Sequence, residues 1–160
     1  MSDHAIVEPN WPGGCHCRAV RYTVNVAPKF IFACHCTDCQ QLSASGFALG
    51  MLIDADGLTI DDAERAEYAK TADSGVISRQ YFCRQCGTWI YTQKDNTPET
   101  IILRPKTLDD SSWVRPIAQI FTASAQPWAL LATAFSQPGN VEHPDRLAAA
   151  FAESDIRPSE

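Results

Sequence analysis

Basic runs are missing from this chain: 13 Lys and Arg, no two of them adjacent, stand against 19 Asp and Glu, for a net charge of −6. Nothing here would neutralise a row of phosphates, so nucleic acid is not an expected partner. No apolar stretch approaches the roughly 20 residues that a membrane-spanning helix needs. Internal repeats, low-complexity tracts and a linker that would split the chain are likewise missing. The opening "MSDHAIVEPNWPGG" carries acids and two prolines where a secretory signal would have a basic start and an apolar run. A cytoplasmic, reducing location is therefore expected, where stable disulfides are rare.

What is present fits one domain over residues 1–160, long enough to bury roughly two-thirds of its unfolded surface without covalent staples. A hydrophobic content of 45% and a charged content of 20% are those of an ordinary globular protein. Seven cysteines are then unexpected, and their odd number spoils a complete disulfide framework. Their spacing is more telling: Cys15-x-Cys17, Cys34-x-Cys36-x-x-Cys39 and Cys83-x-x-Cys86, with none outside a cluster. Such spacing points to metal ligation, with buried structural thiols or a redox dithiol as the alternatives.

The clusters fall at the ends of expected strands. In "AVRYTVNV", Val20, Tyr22, Val24 and Val26 alternate with polar residues, so Cys15 and Cys17 stand at a strand entrance after the turn-forming Gly13 and Gly14. "FIFAC" predicts a strand leading into the triple, and "TDCQQLS" a turn or one helical turn capped by Thr37 or Asp38. "FALGMLI", "LTI", "AEYAK", "ETIILR" and "PIAQIFTAS" add strands, and "SRQYFCRQCGTWIY" reads as strand, tight turn, strand, with Gly87 at the turn. Only the tail "HPDRLAAAFAES" has helical spacing, with Leu147, Ala150 and Phe151 on one side. The fold class is mainly β.

Seven ligands divide as four plus three. A structural zinc takes four thiolates from two pairs, here Cys15 with Cys17 and Cys83 with Cys86. The triple Cys34, Cys36 and Cys39 is then one ligand short. His35, His16 or a carboxylate could close it, although His35, between two ligands in an extended stretch, should face the other way; His4 and His143 lie in Pro-flanked terminal segments. An open three-thiolate site would favour another sulfur as its fourth ligand, hence a thiol substrate held as thiolate and ready to attack an aldehyde carbon. Three ligands hold a metal less firmly than four, so this second zinc is expected to be labile or missing from isolated protein.

The segments "GGCHCRAVRY", "CHCTDCQ" followed by "SASG", "YFCRQCGT", "TLDD" and "QPW" occur in an order that resembles the glutathione-dependent formaldehyde-activating enzyme family, which also includes centromere protein V. The resemblance runs from about Trp11 to Leu131, leaving a helical C-terminal tail. It implies a β-tent fold of several antiparallel sheets with short helices and two zinc sites. Cys15, Cys17, Cys83 and Cys86 match the structural-zinc positions, and Cys34, Cys36 and Cys39 those of the catalytic zinc. The implied activity is that of S-(hydroxymethyl)glutathione synthase, a carbon–sulfur lyase joining glutathione to formaldehyde. Two positions depart from the family's frequent pattern: Gln40 replaces a basic residue after Cys39, and Arg18 a glycine after Cys17.

Glutathione has two carboxylates, and Arg18, Arg79 and Arg84, beside or near the clusters, are candidates to bind them; solvated surface charge is the plainer role for each. Asp38 could act as a base or as a helix cap. Trp89, Trp113 and Trp128 fit a core better than a pocket mouth, and Asp109 and Asp110 fit a turn better than a metal site. The leading expectation is a zinc-dependent enzyme acting on a small thiol and an aldehyde, with the oligomeric state open. A non-catalytic thiol-binding or adaptor protein, and a redox sensor that releases zinc on oxidation, are the competing ones.

Overall fold

The computed structural model describes residues 8–61 and 63–158. Among them eleven strands form two sheets, with two α-helices and short 3₁₀ turns, so the chain is mainly β as its alternating segments predict. The smaller sheet has the order β1 (Trp11–Gly14), β2 (Arg21–Val24), β5 (Leu58–Ile60), all antiparallel. Tyr22 and Val24 of β2 are buried and alternate with half-buried Arg21 and Thr23. The expected face of that strand is thus the buried one.

The larger sheet is built around β3 (Phe30–Cys34), all five residues of which are buried. β4 (Ala48–Asp54) pairs antiparallel along one side of it, with Cys34 opposite Ala48. The sheet continues outward through β9 (Thr100–Leu103), β8 (Trp89–Lys94), β7 (Ile77–Cys83) and β6 (Arg65–Thr71). On the other side of β3 lies β10 (Ala118–Ile120), pairing parallel with Cys34 opposite Ile120, and then the short β11 (Phe135–Ser136), also parallel. Helix α2 (Pro144–Ala152) buries Leu147 and Phe151 and packs against β3, as its spacing predicts.

Two expectations change. Gly13 and Gly14, read as turn-forming, lie in a strand: Gly13 is opposite Tyr22, where a Cβ would come within 2.4 Å of the phenol ring. The missing side chain lets the ring lie flat across the hairpin, so glycine here allows close approach rather than a turn. The segment "TDCQQLS" is a helix, α1 (Thr37–Ser43), and its N-cap is Cys36 rather than Thr37 or Asp38. A sulfur takes the role usually held by a side-chain oxygen, accepting from the Cys39 N–H at 3.3 Å.

Candidate metal centres

The first cluster joins two loops distant in sequence. The β1–β2 hairpin is closed by the Cys15 N–H donating to the Val20 carbonyl, and its loop holds Arg18 at φ 69°. That left-handed conformation suits glycine and costs an L-residue roughly 1 kcal/mol, which accounts for glycine being frequent after the second cysteine in the resembled pattern. The β7–β8 turn is closed by the Gly87 N–H to the Cys83 carbonyl, at 2.9 Å, with Gly87 at φ 74°. The His16 N–H donates to Thr88 Oγ1 at 3.1 Å and ties one loop to the other.

The sulfurs of Cys15, Cys17, Cys83 and Cys86 all lie within 4.8 Å of one another. Cys15 and Cys17 are 3.5 Å apart and Cys17 and Cys83 are 3.8 Å apart, as free thiols. A tetrahedron with metal–sulfur bonds of about 2.3 Å has edges of about 3.8 Å, so the four donors fit a closed thiolate site. The Thr88 hydroxyl beside Cys86 lowers that thiol to about 5.

The second cluster is local. Cys34 ends β3, Cys36 caps α1 and Cys39 stands in its first turn; the three sulfurs lie within 4.8 Å of one another, with no histidine or carboxylate in the group among the described residues. Cys34 is buried while Cys36 and Cys39 are half-buried. Hydrogen bonding from Cys34 and Cys39 holds Cys36 far below an ordinary thiol, and the same sharing pushes Cys34 well above one.

His35 faces away from this group. Its ring is fully buried, packs 5.4 Å from Phe47 and bonds through Nε2 to Gln119 Oε1 at 3.1 Å. Its own N–H donates to the Ile120 carbonyl. His16 and His143 are exposed, and His4 lies outside the described residues. Gln40 bridges the helix to its surroundings, donating from Nε2 to the carbonyls of His35 at 2.7 Å and Ser124 at 2.9 Å. A neutral amide meets both acceptors where the resembled pattern often has a cation.

The remaining candidates are placed as follows. Arg79 is already engaged, bonded to Asp95 at 2.6 Å and Glu67 at 2.6 Å on the face of the large sheet. Arg18 and Arg84 sit beside the four-sulfur group, one residue after Cys17 and Cys83. Asp38 is half-buried and pairs with Lys70 of β6. Asp109 holds Arg21 in a two-bond pair, and Asp110 accepts from Ser112, so both shape the segment after β9 as turn residues. Trp113 packs 5.1 Å from Trp11. Trp128, expected in the core, is 76% exposed, with its ring edge against Gly46.

Helix α1 separates two depressions. One, of about 580 Å³, is lined by neutral side chains including Thr37, Gln40, Gln126 and Trp128. The other, of about 410 Å³, lies between α1 and the Cys83–Cys86 turn and has Arg104 in its wall. Sequence reasoning missed Arg104 because nothing at its position marks it: it follows β9 directly, far from every cysteine in the chain.

A β-rich fold carrying one four-thiol and one three-thiol group defines a class, proteins able to hold two thiolate-bound metals. The particular family follows from comparison: the family model for the glutathione-dependent formaldehyde-activating enzyme matches residues 10–124, and the chain belongs to that family. A Halomonas elongata protein that carries the same description provisionally is 29% identical over 93 residues, which cover 56% of this chain and 59% of that relative. A solved Rhodobacter sphaeroides protein shares the fold, with a TM-score of 0.52 at 19% identity over 79% of this chain and 98% of that one.

Proposed function

We propose that the protein is a zinc-dependent carbon–sulfur lyase, or synthase in the opposite direction, that adds glutathione or a related thiol to formaldehyde or another small aldehyde. The observation that carries this reading is the three-sulfur group of Cys34, Cys36 and Cys39, gathered at the N-terminus of α1 with no fourth donor in the group among the described residues, in a chain of this family. Those three residues would hold the catalytic zinc, and Cys15, Cys17, Cys83 and Cys86 the structural one. Both donor sets fit, being soft and mutually close. When bound at the open site, zinc supplies Lewis acidity that favours the anionic form of a further sulfur at neutral pH.

The protein's own contribution is positional. Cys36 is fixed by the Cys39 N–H, and α1 is anchored by the Gln40 bonds to the His35 and Ser124 carbonyls. In the forward direction a bond forms between the thiol sulfur and the aldehyde carbon, and the thiol proton ends on the aldehyde oxygen. The reverse breaks the same bond and needs no oxidant or reductant. Asp38, paired with Lys70, is assigned no part as base.

Native mass spectrometry of the reduced protein, with and without glutathione, tests the reading alongside a formaldehyde-consumption assay. Two zincs, a glutathione adduct that disappears in Cys36→Ala, and faster formaldehyde consumption are expected. An adduct without acceleration would move the assignment to a non-catalytic thiol-binding protein. Zinc ions indifferent to glutathione would remove the substrate class altogether.

A further inference from the structure

The depression between α1 and the Cys83–Cys86 turn has an electrostatic character that the chain as a whole does not. Although the net charge is −6, its lining includes Arg104 and Lys106 and not one carboxylate. Its other walls come from both cysteine regions: Leu42 and Ser43 from the helix that carries Cys39, Gly87 and Trp89 from the turn that follows Cys86. Ser43 is tied to the triple directly, donating from Oγ to the Cys39 carbonyl at 2.7 Å.

Arg104 is only 8% exposed, yet all its partners are uncharged. It donates to the Leu49 carbonyl at 3.0 Å and Thr92 Oγ1 at 2.7 Å, and lies 3.5 Å over the Trp89 ring. Leu49 pairs with Ala33, the residue before Cys34, so the cation is anchored next to the triple. By contrast Arg21, Arg79 and Arg115 are each bound to carboxylates. Arg104 has no carboxylate partner among the described residues, while the Lys106 ammonium donates to the Ser111 carbonyl at 3.3 Å and lies in the field of Asp110. Two N–H groups in this wall, Arg104 Nε and Trp89 Nε1, are buried without an acceptor. Burial lowers Arg104 to about 10 and the three cysteines of the triple oppose that shift, so it stays protonated at neutral pH. A cation held in a low-dielectric wall attracts an anion entering the cleft over a distance.

We propose that this cleft is the carboxylate subsite for the thiol substrate, with Arg104 as the fixed charge in its inner wall and Lys106 as the contact at its rim. The proposal rests on the thiol reading above and adds where the acidic arm of the substrate lies. The neutral depression on the other side of α1 offers no such charge.

Calorimetry on the zinc-loaded protein with glutathione, glutathione diethyl ester and S-methylglutathione separates the subsite from the thiol reading. Glutathione should bind roughly tenfold more tightly than its diester, the worth of one charge-assisted hydrogen bond. Lys106→Gln, at an exposed position, should cut that ratio to about threefold while leaving the diester's affinity unchanged. Arg104→Lys should keep the preference, and Arg104→Gln, checked for a cooperative thermal transition, should lose it. Equal binding of glutathione and diester, or a preference unmoved by Lys106→Gln and Arg104→Gln, overturns the subsite and leaves the thiol reading standing. S-methylglutathione binding as tightly as glutathione while the diester fails supports the subsite and overturns the thiol reading. Failure of all three ligands overturns both.

Discussion

Replacing Cys83 with alanine should cost far more stability than replacing Cys36, although both remove one sulfur from a thiol group. Cys83 meets Cys17 across 66 residues of sequence. A metal joining them removes the loop-closure entropy of the unfolded chain, about 4 kcal/mol for a loop of that length when the cross-link is treated as covalent. Cys36, Cys34 and Cys39 lie within six residues of one another and close no such loop. Loss of Cys36 removes a helix cap, worth about 1 kcal/mol. For a chain of this size the two losses translate to Tm decreases of roughly 8–16 °C and 2–4 °C respectively. Circular dichroism melts of the zinc-loaded proteins decide the matter, and a chelator added to the unsubstituted protein should reproduce the Cys83→Ala shift. Equal decreases, or a larger one for Cys36→Ala, would refute the assignment of the four-sulfur group as the stabilising clamp.

Gln119→Leu should destabilise the fold by about 2 kcal/mol, since one amide serves His35 Nε2 and both backbone groups of Leu131; a Tm unchanged in thermal melts would contradict that account. The Arg21 hydrogen bonds hold the Asp109 carboxyl below its usual range. Their contribution is therefore complete above about pH 4 and disappears as pH falls through the lowered value. With both side chains about a third exposed, solvent screening limits it to about 0.5 kcal/mol. Asp109→Asn should thus lower Tm slightly at neutral pH and not at pH ~2, and an equal decrease at both would refute the pairing. Gly13→Ala should destabilise by about 1–3 kcal/mol by displacing Tyr22 and its 2.8 Å hydrogen bond to Thr107; denaturant titration measures it.

The two thiol groups were legible because ligand spacing is a local property, and the burial of Tyr22, Val24, Leu147 and Phe151 because periodicity is. What the chain hides depends on long-range partners. The strand at Trp11–Gly14 contains Pro12 and two glycines, a composition that argues against pairing, and it exists because Tyr22 packs across it. The Cys36 cap escaped notice because sulfur is seldom counted among capping atoms, and its position is set by β3 ending at Cys34. Trp128 looks like a core residue by size alone, and only the fold leaves it on the surface. Arg104 has no motif; its interest arises when β9 brings it beside β4 and the Trp89 ring.

The parallel pairing of β10 with β3 carries a temporal consequence. His35 and its partner Gln119 are separated by 84 residues, so at synthesis rates of about 5–20 residues per second the triple emerges roughly 4–17 s before the strand that backs it. During that interval the nascent chain carries three adjacent thiols without their wall, while the hairpins from β6 to β8 can already form from near neighbours. If the triple holds a metal as proposed, its delivery and the protection of these thiols from oxidation are problems of biogenesis, met before the site has its finished shape.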